Sequence, residues 1–208
     1  MHGMFAWILA FLILKNVNDR RLAVICGVAL DIDGVFIFFS SELYYGFHHT
    51  FTHSFVFGIP IAIVAGILAT EKTKVFFTGL GAFTLHIFAD IIGSDWPVLM
   101  FYPISDFGLS LGDYLSDFMI YVIINPVAFF ILLVVIIYIA FKKEQSPFEF
   151  ISEKFDKKII GLFIYPFKYK CSCNHCGNRA ALMCSVCGAR ICYEHGFGFF
   201  ATKCPKCL

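Results

Sequence analysis

The chain has 208 residues, 59% of them hydrophobic and 15% charged, with a formal net charge of +1. So low a charged fraction, against ~25% in soluble domains, together with 27 Phe residues, excludes an ordinary soluble fold of this size, whose interior cannot hide that much apolar surface. The net charge by itself argues for no partner, but the distribution does more. No Lys or Arg occurs between Arg21 and Lys72 or between Lys74 and Lys142, and all cysteines but Cys26 lie between Cys171 and Cys207.

In chain order, the apolar segments are 3–14, 22–41, 51–69, 75–93 and 118–141. A crossing needs ~20 residues at 1.5 Å each, which the last four supply. The first is short and has neither the basic start nor the small-residue cleavage site of a signal peptide, so a short retained helix is expected. Asn125-Pro126 should kink the fifth. The expected fold is an all-α multi-pass membrane protein of four to five transmembrane helices with a small C-terminal zinc-finger domain. Its parts are a membrane domain over 1–141, an amphipathic linker helix over 142–170 and a finger over 171–208. Lys15, Arg20 and Arg21, then Lys72 and Lys74, then Lys142 and Lys143 follow alternate segments. With five spans they fall on one side, which the positive-inside rule places in the cytoplasm together with the tail. The opposite loops carry Glu42, Asp95, Asp106 and Asp113. If the first segment does not span, the N-terminus changes side and the later loops do not.

Ser146-Pro147-Phe148-Glu149 has capping-box spacing with Pro at the first helical position. Phe148, Ile151, Phe155, Ile159 and Leu162 then recur on one face, with Lys154, Lys157 and Lys158 elsewhere. Such a helix lies on the inner membrane surface or packs as a linker against the finger.

The tail holds Cys173-x2-Cys176, Cys184-x2-Cys187, Cys192-x2-His195 and Cys204-x2-Cys207. A tight turn aims two ligands at one ion, and Gly177 and Gly188 relieve the bend after the first two pairs. Four pairs make two tetrahedral zinc sites with no open position, hence structural ones. A disulfide framework is the competing reading of eight cysteines. The expected reducing compartment and the His in one pair weigh against it. The ligand order resembles a cross-brace finger of the B-box or RING type. That resemblance implies Cys173, Cys176, Cys192 and His195 at one zinc and Cys184, Cys187, Cys204 and Cys207 at the other. Sequential pairing stays open, and Cys171 and His175 are left over as replacements. The basic residues of this region (Lys168, Lys170, Arg179, Arg190, Lys203 and Lys206) are too few to favour nucleic acid over a cytoplasmic protein or lipid.

Asp31 and Asp33 stand in the second apolar segment, His86 and Asp90 in the fourth, His53 at the start of the third, and His48 and His49 just before it. A carboxylate near the bilayer centre costs ~2.5–3.5 kcal/mol on insertion scales, so these residues mark a site. His86 and Asp90, and His49 and His53, are four apart and share helix faces. Alternating spans bring nearly all of them, with His2, to the outer layer. Neutral imidazoles and carboxylates are ligands of Zn, Mn or Fe, and an open position on such an ion activates water. A metal-free proton relay and a structural hydrogen-bond network are the other readings.

The pattern Asp31-Ile-Asp33, His48-His-Thr-Phe-Thr-His53-Ser54, His86-x3-Asp90 and Phe101-Tyr-Pro103-Ile-Ser105 resembles the YdjM-like family over roughly residues 1–110. These are inner-membrane proteins described as metal-dependent hydrolases. The resemblance implies Asp31, Asp33, His48, His53, His86 and Asp90 as site residues, with His2 matching an N-terminal His. The family usually has Arg where this chain has His49. The expected function is a membrane-embedded hydrolase using Zn or Mn at the outer face, on a phosphoester or lipid-linked substrate. In it His48, His53, His86 and Asp90 hold the metal, and Asp31 or Asp33 acts as general base. The alternatives are a sensor or scaffold whose finger recruits a cytoplasmic partner, and an ion- or proton-coupled transporter, which the lack of an inverted repeat disfavours.

Overall fold

The computed structural model describes residues 1–168, 173–176, 182–184, 186–196 and 203–207. Cys171, Lys170, Gly177 and Arg179 lie outside the described residues. The chain divides into two units, Met1–Leu133 and Val134–Leu208.

In the first unit, α1 (His2–Ile13) and α2 (Val17–Val28) are joined by a turn in which Asn16 caps α2, its side chain accepting from Asn18 N–H at 2.8 Å. A 3-10 segment, Ala29–Phe38, continues α2. Then come α3 (Ser41–Phe47), α4 (Phe55–Leu68) and α5 (Lys72–Gly93). Helices α2 and α5 pack on each other, and α1 and α4 each pack on that pair. The close approach depends on small residues. A Cβ on Gly27 would lie 2.6 Å from Ala6 Cβ and 3.1 Å from Ala82 Cβ, and one on Gly79 would lie 2.8 Å from Cys26 Sγ. Small residues at helix crossings let backbones approach where the surroundings are apolar and give no hydrophobic drive.

A chain following the alternating course of these helices puts the starts of α1 and α4 and the ends of α2 and α5 together. The other end carries Lys15, Arg20, Arg21, Lys72 and Lys74, the whole basic content of the unit. There the buried Asp19 carboxylate accepts from Thr70 N–H and Glu71 N–H, each at 2.9 Å, which satisfies donors at the α4–α5 turn. The buried Arg20 guanidinium donates to the carbonyls of Leu14 at 3.1 Å and Lys15 at 2.8 Å, closing the end of α1.

Two stretches, Lys72–Gly93 and Phe118–Lys143, are long and apolar enough to cross a membrane. Of the expected four to five spans, these two are the ones of full length among the described residues. The first apolar segment forms a helix of 12 residues and the third one of 14, about 18 and 21 Å at 1.5 Å per residue, short of a ~30 Å hydrocarbon core. The second is no continuous α-helix, since it tightens at Ala29 into the 3-10 segment that carries Asp31 and Asp33. At Asn125-Pro126 the chain passes from a π-helix, Phe118–Ile124, into α6 (Asn125–Lys143). The wider turn lies on the N-terminal side, where a proline removes a donor and crowds the carbonyl four residues back.

The second unit contains the end of α6, a 3-10 turn at Pro147–Phe150 capped by Ser146, α7 (Glu153–Phe163) capped by Ser152, and α8 (Tyr165–Lys168). The expected capping box at Ser146 thus starts a single turn, and the longer helix begins six residues later. Beyond it, β1 (Leu182–Met183) and β2 (Arg190–Ile191) pair antiparallel.

The crossing at Gly27 is testable. Gly27→Leu should lower the thermal unfolding midpoint of the purified protein, in line with ~1–3 kcal/mol for overpacking. Gly34→Ala, where nothing lies within 4 Å of the added Cβ, should stay within about 0.5 kcal/mol of the parent. Equal midpoints for Gly27→Leu and the parent would refute the close approach.

Candidate metal centres

The first centre lies where the starts of α1 and α4 meet the ends of α2 and α5. Fixing those ends takes backbone as well as side chains. Leu99 N–H donates to the carbonyl of His49, and Phe55 N–H, at the start of α4, donates to the carbonyl of Met100, each at 2.9 Å. The loop after α5 therefore crosses the His48–Ser54 turn and holds it. His49 takes a left-handed backbone, φ 63°, a strained conformation for a non-glycine residue that its surroundings must enforce.

Asp33 is buried, and both its oxygens are engaged. Oδ1 lies 2.9 Å from His48 Nδ1, and Oδ2 lies 3.4 Å from His53 Nδ1 and accepts from the Thr52 hydroxyl. An ionised carboxylate only accepts, so His53 Nδ1 donates to it, and in the neutral imidazole the lone pair is then on Nε2. His86 reaches the same state by another route. Its Nδ1 donates to the Gly27 carbonyl at 2.6 Å, at the end of α2, which again leaves Nε2 bare.

These bare atoms converge. Asp90 Oδ2 lies 3.3 Å from His53 Nε2 and 3.1 Å from His86 Nε2, and Asp31 Oδ1 lies 3.4 Å from His86 Nε2. His53 Nε2, His86 Nε2 and Asp90 Oδ2 are buried and have no hydrogen-bond partner. As neutral rings the two imidazoles face Asp90 acceptor to acceptor, which a cation between them would relieve, whereas as imidazoliums they would donate to it. Tetrahedral ligands about 2.0–2.1 Å from a zinc ion stand roughly 3.3–3.4 Å apart, so the spacing fits a divalent ion and these residues suit one. The remaining Asp90 oxygen, Oδ1, is 3.4 Å from His2 Nε2, and His2 stacks on His86 with ring centroids 3.8 Å apart. His49 Nε2 approaches Asp90 Oδ2 at 4.0 Å. Burial, and then the neighbouring His53, push the His49 imidazole down to about 3, which keeps it neutral.

Three sets have ligand atoms mutually within 4.8 Å: His48, His49 and His53; His2, His86 and Asp90; and Asp31, His53 and His86. Every site residue read from the sequence in the first unit is therefore in this one region, but the tasks differ. His53, His86 and Asp90 form the inner group, Asp31 stands at its more open side with its side chain 48% exposed, and Asp33 and His48 lie behind His53. Composition and spacing gave no sign of Thr52, the Gly27 carbonyl, Tyr44 or Trp96. Tyr44 stacks on His48 at 4.7 Å, and Trp96 meets His48 at 5.4 Å and His49 at 4.9 Å. Trp96, one of two tryptophans and next to an aspartate, was the available hint.

The second region is the finger. Cys173, Cys176, Cys192 and His195 have ligand atoms mutually within 4.8 Å, and so do Cys184, Cys187, Cys204 and Cys207. The pairing is interleaved, the first ligand pair with the third and the second with the fourth. Cys176 Sγ–Cys192 Sγ and Cys187 Sγ–Cys204 Sγ are 3.6 Å, and Cys192 Sγ–His195 Nδ1 is 3.3 Å. Thiolates about 2.3 Å from a tetrahedral zinc stand roughly 3.8 Å apart. All the described cysteines are free, and both clusters can hold zinc. Local turns shape the pairs. Gly188 takes φ 73° and its N–H donates to the Cys184 carbonyl at 3.0 Å. Burial opposes the Cys173 thiolate, but the backbone N–H groups of His175, Cys192 and Cys176 outweigh it and bring the thiol down to about 6. His175 stacks on His195 with centroids 5.6 Å apart.

A family model, that of the YdjM inner membrane protein, matches residues 1–168. No curated protein and no solved structure matches the chain.

If the interleaved pairing holds, Cys176→Ala and Cys187→Ala should each remove one zinc from the full chain, and the double substitution two, as counted by elemental analysis. Cys176→Ala should free the Cys192 thiol to reagent and leave Cys204 protected. Release of Cys187 instead of Cys192 would mean sequential pairing.

Proposed function

Because the chain belongs to the YdjM inner membrane protein family, and because buried lone-pair atoms face one another at its helix ends, we propose that the first unit is a membrane-embedded, metal-dependent hydrolase. One observation carries the reading: His53 Nε2, His86 Nε2 and Asp90 Oδ2 are buried, lie 3.1–3.3 Å apart across Asp90 and have no hydrogen-bond partner. Zn or Mn suits this donor set. His53, His86 and Asp90 hold the ion and Asp31 flanks it. Such an ion supplies Lewis acidity toward a substrate oxygen and a nucleophile at neutral pH.

Asp31, on the open side, takes the proton as general base. Asp33 is a positioning residue in this reading, not the base. Its carboxylate holds the His53 Nδ1 proton and so keeps Nε2 aimed inward. The substrate is a lipid-linked phosphoester. Ile32, Val35 and Phe38, on the same segment as Asp31, are exposed apolar side chains. With no Lys or Arg between Arg21 and Lys72, the anionic group is neutralised by the ion itself. The active face is the outer one, since the basic residues all lie at the opposite helix ends. Packing of Leu162 against the core of Cys184, Ile191 and Cys204 favours a second role, in which the Cys-rich region is a docking module carried on α7.

Purified full chain should bind one divalent ion beyond those of the finger. His86→Ala and Asp90→Asn should lose it, and hydrolysis of a phospholipid phosphoester should fall at least about a hundredfold. Asp33→Asn should weaken metal affinity about 10–100-fold while leaving the ligands in place. Absence of the extra ion would refute the metal centre. An ion that binds and is lost as described, without turnover of phosphomonoester or phosphodiester lipids, would leave the docking role alone.

A further inference from the structure

The stretch Phe118–Lys143 is long and apolar enough to cross a membrane, and it ends in the exposed Lys142 and Lys143. The chain does not leave freely after it. Ile160 and Ile164 bury against Ala140 and Phe141 in the last turns of α6. Glu144 accepts from the Tyr165 hydroxyl at 2.9 Å and from Lys168 Nζ at 2.7 Å. The buried Asp156 carboxylate accepts from Ser146 N–H at 3.0 Å and from its hydroxyl. These contacts fix α7 and α8 to the end of α6, at the level where that helix reaches its terminal lysines.

Part of the apolar face of α7 is spent on these internal contacts, and Leu162 faces the finger core. Another part is not spent. Phe163 is 64% exposed, Phe167 75% and Ile151 68%. Phe163 closes α7 and Phe167 lies in α8, just beyond the Ile164 break. Lys154 is nine residues before Phe163, two and a half turns, and points the other way. Lys154 and Lys157 are exposed, and with Lys142 and Lys143 they outnumber Glu153, the one exposed acid between Lys142 and Lys168.

We propose that α7 and α8 seat on an anionic lipid surface beside the exit of α6, with Phe163 and Phe167 in the headgroup–acyl boundary and the lysines toward the headgroups. The occupant is lipid because the face is continuous with a helix of membrane-spanning length, and because an apolar side backed by lysines is the chemistry that binds an anionic bilayer. The surface also holds the finger against the bilayer, so whatever the finger binds is met at the membrane. This inference stands apart from the hydrolase reading, since none of its residues belongs to the centre in the first unit.

The test is amide hydrogen exchange over residues 148–168 of the full chain in nanodiscs. Phosphatidylglycerol nanodiscs should slow exchange there about tenfold relative to phosphatidylcholine ones. The double substitution Phe163→Glu, Phe167→Glu should abolish the difference while the zinc content of the finger stays unchanged, which shows that the unit still folds. Equal exchange in the two lipids, or a difference that survives the substitutions, would overturn the proposal.

Discussion

Asp90 sits three residues before the end of α5, four residues after His86, and nearly everything in the first unit is arranged around what its carboxylate faces. One oxygen meets His2 from α1, and the other meets His86 from its own helix and His53 from the turn before α4. Behind two of those rings stand acceptors for Nδ1, Asp33 for His53 and the Gly27 carbonyl for His86, so that each ring turns Nε2 toward Asp90. An arrangement of acceptors in an apolar body is costly by itself. A cation among these groups would balance it, and the helix ends and their order are what bring the groups together.

The opposite ends show how the same fold handles polar groups without chemistry. Asp19 and Arg20 are buried charges, and both are used up on backbone, Asp19 on the donors of the α4–α5 turn and Arg20 on the carbonyls closing α1. Each leaves its partner satisfied. The contrast between a satisfied end and one with unpartnered lone pairs is what separates scaffold from site. The glycines that let α2 approach α1 and α5 serve that contrast, because the Gly27 carbonyl reaches His86 only if no Cβ holds the helices apart.

In the second unit, metal ligands and apolar contacts reinforce each other. Cys184 and Cys204 are at once candidate ligands and part of the core that includes Ile191 and receives Leu162. The same helix that supplies Leu162 turns Ile160 to α6. The surface on which one side of α7 packs is therefore built from candidate ligands.

Much of this could be read from the chain alone. Scarce charges, the placement of Lys and Arg, and the four ligand pairs of the tail announced a membrane part and a metal-binding tail, because composition and fixed short spacings act locally. His86 and Asp90 could be paired from their helical spacing for the same reason. What the sequence could not decide was which acceptors would be left bare. That depends on long-range partners: a carbonyl 59 residues from His86, a carboxylate 20 residues from His53, and a loop that pins His49 through Leu99. Asp31 and Asp33, two residues apart, looked interchangeable. The tertiary structure separated them, since a 3-10 turn of three residues directs neighbours at i and i+2 to different sides, leaving Asp31 open and Asp33 buried behind His53. Hydropathy registers apolar residues but not where a helix tightens, so the 3-10 segment at Ala29–Phe38 was not legible in it.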